Sequence, residues 1–436
     1  MNQTVCQSAL SPQAWPFNLS WLPAPAYLVG GGVRDALRGR PSAYLDLDFV
    51  LPTQPIETAQ AIAQHYRAGF VLLDAERQIA RVVFEQATAD FALQVGPSLT
   101  TDLERRDFTV NAIAYDPYSQ KIIDPLQGYA DLKQGVLRMV SARNLAEDPL
   151  RLLRAYRQAA QLDFTLETET QAQIRQLAPC LKQVAAERVR VELSYLLSSA
   201  AGTPFLAAAW EDGLLQHWFP AASAAGLAQI AAMDQAAQML AATWPELQAD
   251  FQCCITELTS QHLRERAYSG EASRRTLLAT AKLTGLLKPQ PQPAIVDLQQ
   301  LKYSRTEIQL VTTLLKCLAQ VTSTVHLTKL SRREQYFLFQ RAGRAFSALA
   351  VLVVALGTSV AEISPLIDQF LDPENAIAHP TPLITGKVLI DTLKLSPGPQ
   401  IGKLLAALEL AQAEGKITTA EEALELAKEL SNLANS

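Results

Sequence analysis

Up to about residue 140, apolar and polar positions follow two periods. "AYLVGG" (Ala26–Gly31), "LDLDFVL" (Leu45–Leu51), "RQIARVVFEQ" (Arg77–Gln86) and "ADFALQV" (Ala89–Val95) are short runs of the β type. A turn at Ala87–Thr88 is expected to join the last two. Between them "IETAQAIAQHYRA" (Ile56–Ala68) repeats at helical spacing. After Leu145 the β-branched clusters thin out, Leu, Ala and Gln dominate, and the helical period takes over. Breaks fall at Pro204, Pro220, "KPQPQP" (Lys288–Pro293), "LDPENAIAHPTP" (Leu371–Pro382) and "LSPGPQ" (Leu395–Gln400). The pattern predicts an α+β class: a sheet-and-helix head over 1–140, then an all-α remainder divided into 141–200, 201–370 and 371–436.

Composition narrows this only a little. A chain of 436 residues is too long for one ordinary core, and two to four domains are expected. Apolar residues make up 49% and charged residues 19%, as in soluble globular proteins. The longest apolar run, Phe346–Val360, falls short of the roughly 20 residues that span a bilayer and predicts a buried helix. The N-terminus carries no basic flank followed by an apolar stretch, so no signal peptide is expected. Cys6, Cys180, Cys253, Cys254 and Cys317 are scattered, with no zinc spacing; a reduced, cytoplasmic setting without membrane contact is expected. There is no HExxH and no His-Asp pair, which argues against a histidine-based hydrolytic metal site.

Charge changes the picture more. The net charge is −5, yet its distribution is uneven. No Lys or Arg occurs from 201 to 260, while 261–345 holds fourteen against five Asp and Glu. Such a local excess suits phosphate binding better than the total suggests, and Arg264, Arg274, Arg275, Arg332 and Arg333 are the candidate contacts.

Four stretches carry candidate chemistry. "LVGGGVRD" (Leu28–Asp35) runs a strand into three glycines and a helix. Glycine lets the backbone approach a ligand, a helix start offers free N–H groups to phosphate, and Arg34 adds charge. Asp46 and Asp48 lie two apart in the next strand, so both point the same way and repel unless a cation sits between them. Mg²⁺ held by one or two carboxylates plus substrate phosphates fits that arrangement. "ERRDFTVNAIAYD" (Glu104–Asp116) offers Arg106 for a triphosphate and Asp107 as the cap of an apolar helix bearing Asn111. In "EDPLRLLRAYRQAAQLDF" (Glu147–Phe164), Asp148 reads as N-cap and Pro149 as N1. Arg151, Arg154 and Arg157 follow around one side of the helix. A carboxylate that accepts from an exocyclic amine, beside a guanidinium that donates to a ring nitrogen or carbonyl, can choose C and A over U and G.

Together "YLVGGGVRDALRG", "DLDF", "RRDFTVNAIAYD", "EDPLRLLRA" and "ERVRVEL" (Glu187–Leu193) resemble, in order and spacing, the class II tRNA nucleotidyltransferases and their bacterial poly(A) polymerase relatives. The tail "PLITGKVLIDTLKLSPGPQIGKLLAAL" (Pro382–Leu408) is similar to that of many bacterial members. The resemblance implies a catalytic head (1–140), a nucleobase-selecting neck (141–200), an RNA-binding body (201–370) and a tRNA-binding tail (371–436). It implies attack of an RNA 3′-hydroxyl on the α-phosphate of CTP or ATP, with release of pyrophosphate and no nucleic-acid template. Gly31, Arg34 and Arg106 would bind the nucleotide; Asp46 and Asp48 would hold Mg²⁺; Asp148 and Arg151 would read the base, supported by Arg154 and Arg157. A third sheet carboxylate is usual, with Asp90 the candidate and Glu85 the alternative.

One departure matters. Only fourteen residues, "FALQVGPSLTTDLE", separate Asp90 from Arg105. Many members have a longer, flexible loop there, and the shortened form goes with members that add only CC and leave the final A to a second enzyme. The expected function is Mg²⁺-dependent addition of C, and of A as well, to the tRNA 3′ end from CTP and ATP; CC-only addition, poly(A) synthesis and a non-catalytic RNA-binding role are the alternatives. Intact Asp46 and Asp48 argue against the last.

Overall fold

The structure is a computed structural model that describes residues 8–40, 44–255, 275–322 and 327–435. Contacts divide the chain into two units, residues 1–188 with 208–214, and residues 189–207 with 215–436.

The first unit is built on a mixed seven-stranded sheet. Its strands are β1 (Tyr27–Val29), β2 (Leu45–Leu51), β3 (Gly69–Asp74), β4 (Ile79–Val83), β5 (Ala87–Leu93), β6 (Ala114–Asp116) and β7 (Lys121–Ile123), in the order β3-β4-β5-β2-β1-β6-β7. Only β2 and β5 run parallel; every other neighbour is antiparallel. The period-two pattern of β2 explains its central place. Leu45, Leu47, Phe49 and Leu51 enter one core with Trp15, Phe17, Phe91 and helix α2 (Pro55–Tyr66). On the opposite face Val50 packs with Val29, Leu103, Ala112 and Ala114, and beside it the same face carries Asp48 and Asp46. Helix α1 (Gly31–Leu37) follows β1, and α3 (Leu99–Glu104) follows β5. Then come α4 (Gly128–Gln134), α5 (Ala142–Glu147) and α6 (Leu150–Leu162). A two-residue ladder, Val136–Leu137 with Thr165–Leu166, closes the chain around α6.

Three local expectations change. The hairpin turn is Phe84–Gln86, just before the expected Ala87–Thr88, because the Phe84 N–H donates to the Ala87 carbonyl at 2.8 Å and Ala87 and Thr88 already pair in β5. The stretch after Arg106 forms no apolar helix. Phe108 is extended, Thr109–Asn111 makes one 3₁₀ turn, and Ala114–Tyr115 continues as β6 against β1. Its apolar residues serve the sheet, so Asp107 caps no helix. Asp148 is the C-cap of α5, and Pro149 takes the N-cap of α6; Asp148 keeps a long contact, 3.4 Å, from the Leu150 N–H.

The second unit is helical. Its main core gathers Met233, Leu240, Leu314, Phe339 and the buried helix Phe346–Ala355, as the apolar run predicts. By length and composition, the helical stretch Arg332–Ala355 is the candidate membrane span among the described residues, and most of it is buried inside the protein. A second cluster, around Leu389, Leu404, Leu408 and Ala423, holds the C-terminal helices together.

Phe49 is the hub of the head core: its ring meets Trp15 at 5.0 Å, Phe91 at 5.4 Å and Phe17 at 5.8 Å. Phe49→Ala is expected to destabilise the head by about 3–5 kcal/mol in urea unfolding. A loss below about 1 kcal/mol would show that this core is not the one that holds β2.

Candidate active site

The site starts where β1 meets α1. Gly30 has φ of +77°, and a Cβ there would stand 3.0 Å from Asp48 Oδ2. A Cβ at Gly32 would lie 2.7 Å from the Asp46 carbonyl oxygen. Side chains at either position would push the turn off β2, so the glycines are what let it lie against the aspartates.

Strand register then sets the carboxylates. Asp48 faces Asp90, and Asp46 faces Thr88, across the parallel pair. Asp46 is exposed and accepts from Thr88 Oγ1 at 2.8 Å. Asp48 is half-buried; burial, then the charges of Asp46 and Asp90, push its carboxyl up to about 7. Asp90 is gripped at both oxygens by Arg81, at 2.6 and 2.8 Å, and does not line the adjoining cavity. Glu85 lies exposed in the β4–β5 turn, away from this face. Among the described residues no three His, Cys, Asp or Glu side chains gather as a metal cage. Asp46 and Asp48 therefore provide an incomplete, all-oxygen donor set whose crowding favours a cation. That chemistry fits a hard divalent ion whose remaining ligands come from water and substrate phosphate.

The cavity beside them measures about 620 Å³, the size of a small-molecule site. Gly30, Gly31, Asp46 and Asp48 form one wall, and α6 supplies Arg154, Arg157 and Gln158. Arg34, Arg40 and Arg106 also reach it, giving five guanidinium groups around one space. Two aspartates that line it are already neutralised. Asp35 receives both Nε and Nη2 of Arg34, each at 2.9 Å. Asp107 is buried, which by itself raises its pKa; Arg154 at 3.2 Å, Asn111, the Phe108 N–H and Arg151 outweigh that and hold it below the ordinary carboxylate value. The remaining charge suits a polyanion with its counter-ion.

Arg106 is held by the buried Asp102 at 3.3 Å, and its buried Nε has no hydrogen-bond partner. Asp102 also accepts from the Val95 N–H at 3.0 Å and lies 3.6 Å from Arg105. With the Gln94 N–H bound to the Leu51 carbonyl at 2.8 Å, the short β5–α3 connection is tied at its first two residues, Gln94 to β2 and Val95 to α3, while 96–98 stay exposed.

Of the candidates, Gly31, Arg34, Asp46, Asp48, Arg106, Arg154 and Arg157 line this one cavity. Asp148 and Arg151 sit at the start of α6, outside its wall: Asp148 accepts from Arg188 at 2.9 Å, and Arg151 donates to the Arg105 and Asn144 carbonyls at 3.0 and 3.1 Å. Arg264 and Arg274 lie outside the described residues. Arg332 and Arg333 are exposed, the latter 3.3 Å from Glu414. Arg275 departs from the expected surface role, because both arms of its guanidinium fork are taken by the buried Glu307. Sequence reasoning passed over Arg40, Asp102 and Gln158. Asp102 carries only a weak signal, four residues before Arg106; Gln158 has none, since a lone glutamine on an apolar helix looks like surface.

Comparison with known proteins shows the family. Residues 26–138 match the poly A polymerase head domain, 163–225 the RNA- and SrmB-binding site of polymerase A, and 275–427 the tRNA nucleotidyltransferase domain 2. A CC-adding tRNA nucleotidyltransferase of Synechocystis sp. is 47% identical over 96% of each chain. An A-adding tRNA nucleotidyltransferase of Deinococcus radiodurans is 33% identical over 92% of this chain and 94% of its own. A solved CCA-adding enzyme in complex with CTP shares the fold, with a TM-score of 0.71 at 24% identity over 94% of this chain and 91% of its own. A head sheet bearing paired carboxylates beside a cavity lined by arginines, followed by helices that match along almost the whole length, places this chain in the tRNA nucleotidyltransferase family.

Proposed function

We propose that this nucleotidyltransferase adds two cytidylates, and not the terminal adenylate, to the 3′ end of tRNA from CTP. The observation that carries the reading is the closed β5–α3 connection, in a chain nearly half identical to a CC-adding relative. Gln94 and Val95 tie the start of that segment to β2 and to Asp102, which also holds Arg106, so the segment is short and anchored where a long swinging loop would begin. A site that must pass from C to A has to change its geometry between additions; this one is braced. The division into head (1–140), neck (141–200), body (201–370) and tail (371–436), acting in the cytoplasm, belongs to the same proposal.

The roles follow from charge and position. Arg34, Arg106, Arg154 and Arg157 hold the triphosphate in the cavity, while Gly30 and Gly31 let it come close to the backbone. Asp46 and Asp48 would hold Mg²⁺, which when bound offsets charge on the attacking and leaving oxygens. Asp48 leans on its neighbours, so its proton must leave before it can serve as a ligand. Asp90 stays on the sheet with Arg81 as a fixed negative neighbour of Asp48. Asp148, oriented by Arg188, and Arg151, oriented by two carbonyls, form a braced donor–acceptor pair for the edge of a base. Exposed Arg332 and Arg333 suit contact with the tRNA backbone.

The deciding assay offers transcripts ending at the discriminator base, at C or at CC, with labelled CTP or ATP. We expect CTP addition to stop at CC, and ATP incorporation on a CC end to be at least about a hundredfold slower. Rapid A addition to a CC end contradicts CC-only activity; long A tracts on unrelated RNA point to a poly(A) polymerase; no incorporation at all points to an RNA-binding protein.

Asp48 also predicts a pH dependence. Its folded pKa, about 7, lies above the ordinary 3.8, so its protonated form favours the fold. That contribution is complete below about pH 4 and lost as pH rises through about 7. In metal-free buffer Asp48→Asn should therefore be the more stable protein at pH 8, by on the order of 2 kcal/mol, with the gap closing towards pH 4. Urea unfolding at the two pH values checks this; a gap of equal size at both would remove the carboxylate crowding from the account.

A further inference from the structure

We propose that β3 is a docking edge for a second copy of this chain: two β3 strands pair antiparallel about a two-fold axis at Val71 and join the head sheets of two molecules.

The edge is open on every side. β3 (Gly69–Asp74) ends the seven-stranded sheet and, among the described residues, pairs with β4 alone. Its outer backbone N–H and C=O groups therefore face away from the sheet. Four large apolar residues in a row are exposed on it: Phe70 at 37%, Val71 at 44%, Leu72 at 48% and Leu73 at 47%. They do not share one face. Phe70 and Leu72 stand beside Val82 and Ala80 of the head core, while Val71 stands beside Arg81 on the carboxylate-bearing side. Natural sheet edges are kept short or carry lysine, proline or a bulge. The opposite edge obeys this: β7 has three residues and opens with Lys121. β3 has six residues and holds no lysine, arginine or proline. Its register shift falls between Leu72 and Asp74, at the end of the strand, so Gly69–Leu72 stays regular.

Chemistry selects the occupant. A partner laid against one face would leave the other face wet and the backbone groups unpaired. A strand added at the edge extends both faces and takes up the N–H and C=O groups. RNA does not fit, because the run offers its phosphates no cation. β3 is its own complement. Exposed Arg67 precedes it, and Asp74 and exposed Glu76 close it. Arg77 lies 3.8 Å from Asp74, so Glu76 is the charge left over at that end. Antiparallel pairing brings Arg67 of each copy to the acidic end of the other, whereas parallel pairing sets like charge on like. With the axis at Val71, that residue meets its own copy and Phe70 meets Leu72, a pair that symmetry makes twice. One strand pair buries little area, so the dimer is weak and forms only at high protein concentration. β3 contributes nothing to the walls of the cavity, so nucleotide addition does not depend on the pairing.

Sedimentation velocity of the full chain without RNA, from about 1 to 200 µM, tests this with wild type, Val71→Lys, Val71→Glu and an equal mixture of the two variants. Wild type is expected to pass from one chain towards two across the series. At the axis the new charge faces itself, so each variant alone stays a single chain, and the mixture, which sets lysine against glutamate, recovers the dimer. Unchanged CTP addition by each variant shows that it is folded. Wild type that stays a single chain throughout overturns the proposal, as does a folded Val71→Lys that associates like wild type. A mixture that stays monomeric while wild type pairs overturns the two-fold axis at Val71. Should both variants lose CTP addition, Glu76→Arg decides: facing Arg67 it should weaken the dimer at least about threefold, and undiminished association overturns the arrangement.

Discussion

Three carboxylates share one face of two neighbouring parallel strands, and the rest of the head is arranged around that fact. Asp46 and Asp48 are forced together by the period of β2, and Asp90 is set beside Asp48 by the β2–β5 register. Like charges this close resist ionisation together. Asp90 is answered within the sheet by Arg81, Asp46 lies exposed and accepts from Thr88, and Asp48 is left carrying the strain, with its pKa pushed up to about 7. Such a face is poorly stabilised until a cation and an anion arrive together. This is the logic of a site for a metal-bound nucleotide.

The opposite wall solves the complementary problem. Five guanidinium groups cannot crowd a cavity without counter-charges, and Asp35, Asp102 and Asp107 serve as those while also aiming the arginines. Asp107 is the most connected: it orients Arg154 on α6 and Asn111 in the 3₁₀ turn, and Asn111 in turn joins Arg34 on α1 to Gln158 on α6. The positions of α1, the 3₁₀ turn and α6 are thereby fixed relative to one another by hydrogen bonds whose direction is not interchangeable. The same bracing reaches the start of the β5–α3 connection through Asp102.

What was legible in the sequence was what depends on local period. The bounds of β2, the glycine turn into α1 and the buried helix at Phe346 follow from spacing alone. Contacts between distant segments were not legible. The run after Arg106 has helix-compatible residues, and only pairing with β1 makes it a strand. Asp148 precedes a proline as an N-cap should, yet the helix before it claims the residue as its own end. Arg275 sits in a basic stretch, but Glu307, over thirty positions away, draws it inward. Gln158 becomes meaningful only when Asn111, 47 residues earlier, is placed against it.

The decisive property is whether Asp46 and Asp48 bind a cation together with the nucleotide. Calorimetric titration with CTP, in Mg²⁺ and then in a chelator, tests it most directly when wild type is compared with Asp46→Asn. The metal should tighten CTP binding at least about tenfold in wild type, and most of that gain should vanish in the variant. Equal affinity with and without metal in wild type, or a full metal effect in Asp46→Asn, would contradict it.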